Sequence, residues 1–243
     1  GGLIGNNYST SSNTYSITNS HALGDVKVSS TSSTSVGGLI GRNQNSNLSD
    51  VSASGDVTAN TTSGNAYAGG LVGWNFGAIS NSSATGDVSA TVSVYVASVS
   101  VASAGGLVGL NQFGVISNSS ATGDVSANAA GDYASAGGLV GFNQSGAISN
   151  SSAMGNVSAN ATGNRNYAGG LIGRNENSKL SDVSAKGTVT GKDNVGGLVG
   201  FNLNSNITNA NTAATSIVTA SGDNVGGLIG NNYSTSSNTY SIT

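Results

Sequence analysis

Short apolar pairs bounded by glycine recur along this chain at nearly constant intervals. The clearest example is the heptapeptide Gly-Gly-Leu-(Val/Ile)-Gly-x-Asn, in which x varies. No apolar i, i+3, i+4 pattern persists, and Gly, Ser, Thr, Asn and Val are weak helix formers. The pattern therefore predicts short strands separated by Gly and Asn turns. The heptapeptide begins at Gly1, Gly37, Gly69, Gly105, Gly137, Gly169, Gly196 and Gly226.

A second block follows each heptapeptide. Residues 79–90, Ile-Ser-Asn-Ser-Ser-Ala-Thr-Gly-Asp-Val-Ser-Ala, recur identically as residues 116–127 and with two changes as residues 148–159. The distance from a heptapeptide to the valine of this block is 19 to 25 residues, whereas the distance from that valine to the next heptapeptide ranges from 7 to 17. A segment of nearly constant length followed by one of variable length is typical of stacked coils. The constant segment stacks on its neighbours, and the variable segment forms turns that extend into solvent.

These units predict an all-β fold, a β-solenoid (β-helix) with about three short strands per coil and one coil per repeat of 27 to 36 residues. A single unit has too few apolar side chains to form a core, so stacking must bury them. Coils spaced by about 4.7 to 4.8 Å would give seven coils a length of about 34 Å. Strict alternation places Val72 beside a corner, on the opposite face from the lumen. The lumen is expected to hold Leu71, Ile79, Ala84, Val88 and their counterparts.

Two repeated residue types carry further structural predictions. Glycine marks either turns that need positive φ or places where two backbones approach closely. The asparagine that ends each heptapeptide is expected to stack as an amide ladder, each side chain bonding the next. Ladders and many small contacts would then stabilise the coils.

A longer period lies above the short one. Residues 226–243 repeat residues 1–18 without a difference. We therefore divide the chain into a macro-repeat of seven coils, residues 1–225, and the start of the next copy, residues 226–243. The coils begin at residues 1, 37, 69, 105, 137, 169 and 196. The parent protein is expected to be a tandem array.

Gly-Gly-Leu-Val-Gly-x-Asn followed by Ile-Ser-Asn-Ser-Ser-Ala-Thr-Gly-Asp-Val resembles the GLUG repeat, which occurs in large bacterial and archaeal surface and secreted proteins, including adhesin-like chains. The resemblance covers essentially the whole chain and recurs seven times. It implies an extracellular or cell-surface location, and it names no ligand. The last unit, residues 207–218, lacks the Gly-Asp pair, so its second corner is expected to differ.

Composition excludes many classes of function. Only 7% of the 243 residues are charged and 36% are hydrophobic, fewer than in a conventional enzyme. With no cysteine and one histidine, the chain has no disulfide and no thiolate or imidazole metal site. Its 7 basic residues are too scattered to neutralise nucleic acid, and no apolar stretch is long enough to span a membrane. The lone His21 lacks a carboxylate at a catalytic spacing, so we predict no enzyme and no cofactor.

The aspartates that recur in the second block are the strongest candidates for a metal site. Carboxylates stacked about 5 Å apart repel each other unless a cation or solvent screens them. Asn156 and Thr188 replace aspartate in later coils, which favours a turn-forming role in which a short polar side chain bonds the local backbone. We therefore predict no metal, although calcium stays an alternative for this row. The row consists of Asp25, Asp56, Asp87 and Asp124.

The variable residue of Gly-x-Asn gives a second row, which we predict to be an interaction stripe. Exposed apolar strips of this kind usually mark contact surfaces. A cover from the variable side of the coil is the alternative, and residues 91–102, which alternate valine with small residues, predict an extended flap that could provide it. The stripe consists of Arg42, Trp74, Leu110, Phe142, Arg174 and Phe201.

Many Asn-x-Ser/Thr triplets occur in so Asn-rich a chain, and several fall on predicted ladders where no glycan would fit. Asn60 and Asn160 are the better candidates for glycosylation.

Tandem repetition at two periods, without an assembled catalytic set, predicts a non-enzymatic extracellular structural protein. It would be a stiff segment of a surface filament, fibre or adhesin stalk. The expected partners are other copies of the chain, joined end to end, with lateral contact as an open alternative. The alternative function is an adhesive module that binds carbohydrate or ice through an exposed stripe or face.

Overall fold

The structure is a computed structural model that describes residues 1–9, 15–94, 100–131, 133–213, 217–235 and 240–243. Within these ranges the chain winds as a β-solenoid of about seven turns, and its strands pair in parallel with the equivalent strands of neighbouring coils. The predicted all-β solenoid is confirmed. The described residues contain no helix that is long and apolar enough to cross a membrane.

Each coil passes through four sheets, numbered here in chain order. Sheet 1 starts at the heptapeptide and consists of Ile4–Tyr8, Ile40–Gln44, Val72–Asn75, Val108–Gln112, Val140–Gln144, Ile172–Glu176, Val199–Leu203 and Ile229–Tyr233. Sheet 2 receives two short strands from each early coil and one longer strand from each later coil. It consists of Ser16–Thr18, His21–Ala22, Asn47–Ser49, Ser52–Ala53, Ala78–Ser80, Ser83–Ala84, Val115–Ser117, Ser120–Ala121, Ala147–Met154, Lys179–Lys186 and Asn206–Thr212.

The remaining two sheets complete the coil. Sheet 3 consists of Val26–Ser30, Val57–Thr61, Val88–Val92, Val125–Ala129, Val157–Ala161, Thr188–Gly191 and Ile217–Ala220. Sheet 4 leads into the next heptapeptide and consists of Thr34–Gly37, Ala66–Gly69, Val101–Gly105, Tyr133–Gly137, Arg165–Gly169, Val195–Gly196 and Val225–Gly226. The two ends of the predicted flap belong to sheets 3 and 4, while residues 95–99 in its middle lie outside the described residues. Residues 214–216, at the second corner of the last unit, also lie outside them.

The interior holds two apolar clusters. One lies between sheets 1 and 2 and includes Leu71, Ile79 and Ala84, whereas the other lies between sheets 3 and 4 and includes Val88. All four predicted lumen residues are buried, at most 2% exposed. The prediction for Val72 is wrong, because its side chain is fully buried in the same cluster as Leu71. A bend at residues 70–71 interrupts the alternation, so both side chains enter the core.

Glycine allows the backbones of neighbouring coils to approach closely. A Cβ added to Gly70 would lie 2.1 Å from the carbonyl oxygen of Gly106 and 2.8 Å from Cβ of Ala84. A Cβ on Gly73 would lie 2.5 Å from the backbone nitrogen of Val36. At these glycines the backbone of the heptapeptide therefore has no room for a side chain.

Positive φ is supplied mostly by asparagine and not by glycine. The described glycines with positive φ are Gly64 and Gly187, whereas fourteen other residues have φ between 47° and 60°. Most of these are Asn or Asp, whose short side chains tolerate the left-handed region. Of the two roles predicted for glycine, close approach of backbones is the prevalent one.

The predicted asparagine ladder is confirmed. From Asn7 to Asn232, each Nδ2 donates to Oδ1 of the equivalent asparagine one coil further on, over distances of 2.8 to 3.0 Å. In Asn43, Asn75, Asn111 and Asn202, Nδ2 also donates to a carbonyl in its own turn, as from Asn111 to Gly114 over 3.0 Å. Both amide hydrogens of these four side chains are thus satisfied, and all four are almost fully buried.

The close approach of coils predicts a strong effect for Gly106→Ala. The new Cβ would lie 2.1 Å from the Gly138 carbonyl oxygen, a backbone atom that cannot move without disturbing the stack. We expect unfolding in urea to show a loss of about 3 kcal/mol or more, the upper range for overpacking.

Gly24→Ala is the matched control, because nothing lies within 4 Å of the added Cβ. Its free energy of unfolding should stay within about 1 kcal/mol of the unchanged chain. Equal effects of the two substitutions would contradict the proposed role of the Gly-Gly segments.

Candidate functional site

The predicted stripe is continuous along sheet 1. Each variable residue of Gly-x-Asn stands in register with its equivalent in the next coil, so that Trp74 pairs with Arg42 on one side and with Leu110 on the other. The row continues through Phe142, Arg174 and Phe201. One large side chain therefore follows another at every coil along this face.

Tyrosines of sheet 4 cover part of this stripe. The Tyr67 ring lies 5.7 Å from that of Trp74, and the Tyr167 ring lies 5.3 Å from that of Phe201. Leu110 is buried, and the other stripe residues from Arg42 to Phe201 are half-buried. The stripe is thus neither fully exposed nor fully covered. The cover comes from sheet 4 and, over Trp74, from Phe76, whose ring lies 5.1 Å away.

All three arginines of the chain stack on aromatic rings, Arg42 and Arg174 within this stripe and Arg165 beside it in sheet 4. The guanidinium of Arg42 lies 4.4 Å from the centre of the Trp74 ring and 5.5 Å from that of Phe76. The Arg42 Nε and Trp74 Nε1 atoms are buried and have no hydrogen-bond partner among the described residues. Stacking of a cation on a ring contributes about 0.5 to 1 kcal/mol at such exposure.

The second arginine cluster includes Arg174, which lies four coils beyond Arg42. Arg174 stacks 4.7 Å from the Phe142 ring and also binds Glu176, with its Nε 2.7 Å from the carboxylate Oε1. Arg165 stacks over Tyr133 and donates a hydrogen bond to its hydroxyl. The Arg174 guanidinium also lies 5.5 Å from the centre of the Tyr167 ring and 5.8 Å from that of Tyr133, so it connects sheet 1 with sheet 4.

The aspartate row bonds the backbone of the next coil, whereas the expectation from the sequence was a bond to the local backbone. Oδ1 of Asp25, Asp56 and Asp87 each accepts a hydrogen bond from the backbone N–H of the equivalent residue in the next coil, over 2.8 to 2.9 Å. Oδ1 of Asp124 accepts from the N–H of Asn156 over 2.7 Å in the same way. The residue needed at this corner is a short side chain with an acceptor oxygen, which both Asp and Asn supply.

The same row borders a groove of about 680 Å³ along the outside of sheet 3. Asp56, Asp87 and Asp124 form one side of it, and hydroxyl side chains such as Thr58 and Ser89 line the rest. In the part of the chain that the structure covers, no group of three His, Cys, Asp or Glu side chains is placed to hold a metal ion. The alternative of calcium binding stays untested.

The two glycosylation candidates lie on the outside of sheet 3. Asn60 is half-buried in its strand, whereas Asn160 is exposed and donates to Oγ of Ser158 over 3.1 Å. Glycosylation at either residue stays a prediction. His21 is exposed and hydrogen-bonds Oγ of Ser52 over 2.8 Å.

The recurring geometry agrees with a comparison against known families. The model of the GLUG motif matches residues 32–58, 64–89, 100–126, 132–158 and 164–190, together more than half of the chain. The chain belongs to the GLUG-motif family. Each matched segment of this GLUG protein begins at or just before sheet 4 and ends in sheet 3, so one family repeat corresponds to one coil.

A solved structure has a similar fold. The crystal structure of a candidate immunoglobulin A1 protease from Bacteroides ovatus superposes with a TM-score of 0.61 and 22% identity. The match covers 81% of the GLUG chain and 60% of the other chain, so the similarity concerns the fold alone. No curated protein shows significant similarity to the chain.

Sequence reasoning missed the tyrosines and one arginine of this GLUG protein's stripe. Tyr67, Tyr133, Tyr167 and Arg165 lie in the variable part of the repeat, before the heptapeptide. A signal was present, because Tyr-Ala-Gly-Gly-Leu occurs at both Tyr67 and Tyr167. These two tyrosines share one register position of sheet 4.

Burial changes the ionisation of the covering tyrosines. Desolvation raises the pKa of Tyr67 above its ordinary value of 10.0, and the hydrogen bond from Asn65 lowers it in part. Desolvation also raises the pKa of Tyr167, against the attraction of Arg174. Both hydroxyls therefore stay neutral in the folded chain at pH values where an unfolded tyrosine ionises.

This pKa shift predicts loss of stability in alkali. Above pH 10.0 the unfolded tyrosines release protons before the folded ones, which draws the equilibrium towards the unfolded chain. The stabilisation is complete below that pH and is lost as pH rises through the raised pKa values. Urea unfolding between pH 8 and pH 11.5 should show the decline, and Tyr67→Phe with Tyr167→Phe should reduce it.

Tyr8→Phe is the control, because Tyr8 is 56% exposed. An alkaline decline that Tyr8→Phe reduces as much as the double substitution would contradict the assignment.

The corner role of the aspartates predicts a contrast at Asp87. Asp87→Ala removes the acceptor for the Asp124 N–H, at a loss of about 1 kcal/mol. Asp87→Asn keeps an acceptor oxygen and should unfold within about 0.5 kcal/mol of the unchanged chain. Chemical denaturation checks both, and an equal loss in the two variants would show that the carboxylate charge is what the site requires.

Proposed function

We propose that this chain is a non-enzymatic structural element of an extracellular surface filament, fibre or adhesin stalk. Its work is to provide stiff length. The observation that carries the proposal is the strict register from coil to coil in all four sheets, together with the uninterrupted asparagine ladder. A solenoid bonded in this way resists bending, because bending would separate several ladders at once.

The distribution of polar side chains supports a structural role. The ladder asparagines, the aspartate row and the stacked arginines all contact neighbouring coils. Neither the GLUG repeats nor the solenoid fold indicates catalysis. The protease name of the similar structure belongs to that protein, and its 22% identity to this chain carries no activity across.

Copies of the same repeat are the partners that we propose. Residues 226–243 are identical to residues 1–18, and Ile229–Tyr233 joins sheet 1 beside Val199–Leu203 as Ile4–Tyr8 joins it beside Ile40–Gln44. Ile242, the counterpart of Ile17, pairs with Ile207 of the preceding coil, whereas Ile17 pairs with Leu48 of the following coil in sheet 2. A following copy would therefore continue the same axis.

A two-copy chain, residues 1–225 followed by residues 1–243, tests this proposal. If the axis continues, small-angle X-ray scattering should show a maximum dimension longer by about 34 Å with an unchanged cross-section. A flexible Gly/Ser linker between the two copies is the control, since it breaks the register and should give two separate rods.

Scattering from two independent bodies in the directly joined chain would overturn the proposal. Hydrolysis of a glycan or peptide by the purified chain, lost on changing one Ser or carboxylate, would also overturn it.

A further inference from the structure

Phe113 has an unusual backbone conformation. Its φ is 59°, while the other thirteen non-glycine residues with positive φ in the described ranges are Asn, Asp or Ser. The equivalent corner, two residues after the ladder asparagine, holds Asn45, Ser145, Asn177 and Asn204 in other coils. Asparagine tolerates this conformation, and a bulky aromatic residue rarely adopts it. The fold therefore gains nothing locally from phenylalanine at this corner.

The Phe113 side chain is also exposed. It is 65% exposed, and Val115, two residues further on, is 48% exposed. Trp74, Phe142 and Phe201 are instead half-buried on the stripe. Water therefore meets an apolar ring at a corner where the other left-handed residues, Asn45, Ser145, Asn177 and Asn204, are polar. In the preceding coil this corner is one residue shorter and holds Phe76 and Gly77, neither of which has a positive φ.

Two unfavourable features thus meet in one residue, a left-handed backbone and an exposed ring. An observed outlier of this kind supports a hypothesis of function. The bond between coils at this corner does not need phenylalanine, since the backbone N–H of Phe113 donates to the Gln144 carbonyl over 2.9 Å as the N–H of Ser145 does to Glu176. A ligand that contacts the ring would account for both.

The surroundings of the ring indicate what kind of ligand fits. Gln112 donates from Nε2 to Oε1 of Gln144 over 3.0 Å. No residue in the described ranges takes up Oε1 of Gln112 or Nε2 of Gln144, so the pair offers an acceptor and a donor beside the corner. Glu176, the next residue of that row, is already bound to Arg174. The corner is therefore uncharged, with amide groups beside an apolar ring.

We propose that the Phe113 corner binds a neutral saccharide. A sugar ring combines an apolar C–H face, which would lie on Phe113, with hydroxyls that both donate to and accept from the amides of Gln112 and Gln144. The apolar patch of Phe113 and Val115 is too small for a protein partner, which needs about 800 Å² per side. This proposal does not depend on the structural role of the solenoid, so each can fail without the other.

Phe113→Asn tests the proposal, because it should weaken sugar binding without lowering stability. Asparagine relieves the backbone and the exposure, so the melting temperature should be equal to or above that of the unchanged chain. The probe is an array of neutral hexose and N-acetylhexosamine oligosaccharides, with sulfated and uronate oligosaccharides beside them. We expect the unchanged chain to bind neutral sugars. In Phe113→Asn the Kd for the tightest-binding sugar, measured by titration, should rise at least tenfold.

Phe113→Tyr should retain binding, and Ser145→Asn, at the equivalent corner of the next coil, is the matched control that should leave it unchanged. The proposal is overturned if the unchanged chain binds no neutral sugar, if it binds only the anionic ones, or if Phe113→Asn binds as well as the unchanged chain. A lower melting temperature of Phe113→Asn would assign the ring a packing role. Loss of self-association without glycan binding would assign the corner to a second copy.

Discussion

The vertical spacing of backbone strands is the constraint on which the rest of this structure depends. Every coil must lie one strand spacing from the next in all four sheets, so each position must hold a residue that can stack on its own equivalent. Glycine satisfies this requirement where two backbones nearly touch, as at Gly70 and Gly106. Asparagine satisfies it where a buried polar group must bond both its neighbours, as at Asn111. The low content of large side chains follows from the same constraint.

The solenoid, its period and four of its lumen residues could be predicted because each depends only on repetition. A residue that recurs in every coil must stack, whatever the shape of the cross-section. The burial of Val72 could not be predicted in this way, because it depends on where the chain bends between sheets 4 and 1. That bend is set by close backbone contacts of the glycine pair, which no alternation pattern reports.

The candidate stripe was predictable in position and not in environment. Register placed Trp74 beside Arg42 and Leu110, as equal spacing from the heptapeptide requires. The covering rings of Tyr67 and Tyr167 come from segments of variable length, so their distance from the stripe depends on the path of sheet 4. For the aspartate row, substitution by Asn156 indicated a short polar side chain that bonds the backbone, but the partner, an N–H of the next coil, depends on stacking and was not predicted.

The direction of the amide ladder gives this molecule a chemical sense along its axis. Every ladder amide donates towards the later coil, so the aligned dipoles add instead of cancelling. A stack built in this way presents carbonyl oxygens at one face and amide hydrogens at the other. When two such stacks join head to tail, the amide hydrogens of one meet the carbonyl oxygens of the other. When two identical ends meet, donors face donors or acceptors face acceptors, and no hydrogen bond forms. Any array of these coils is therefore polar, with two chemically distinguishable ends.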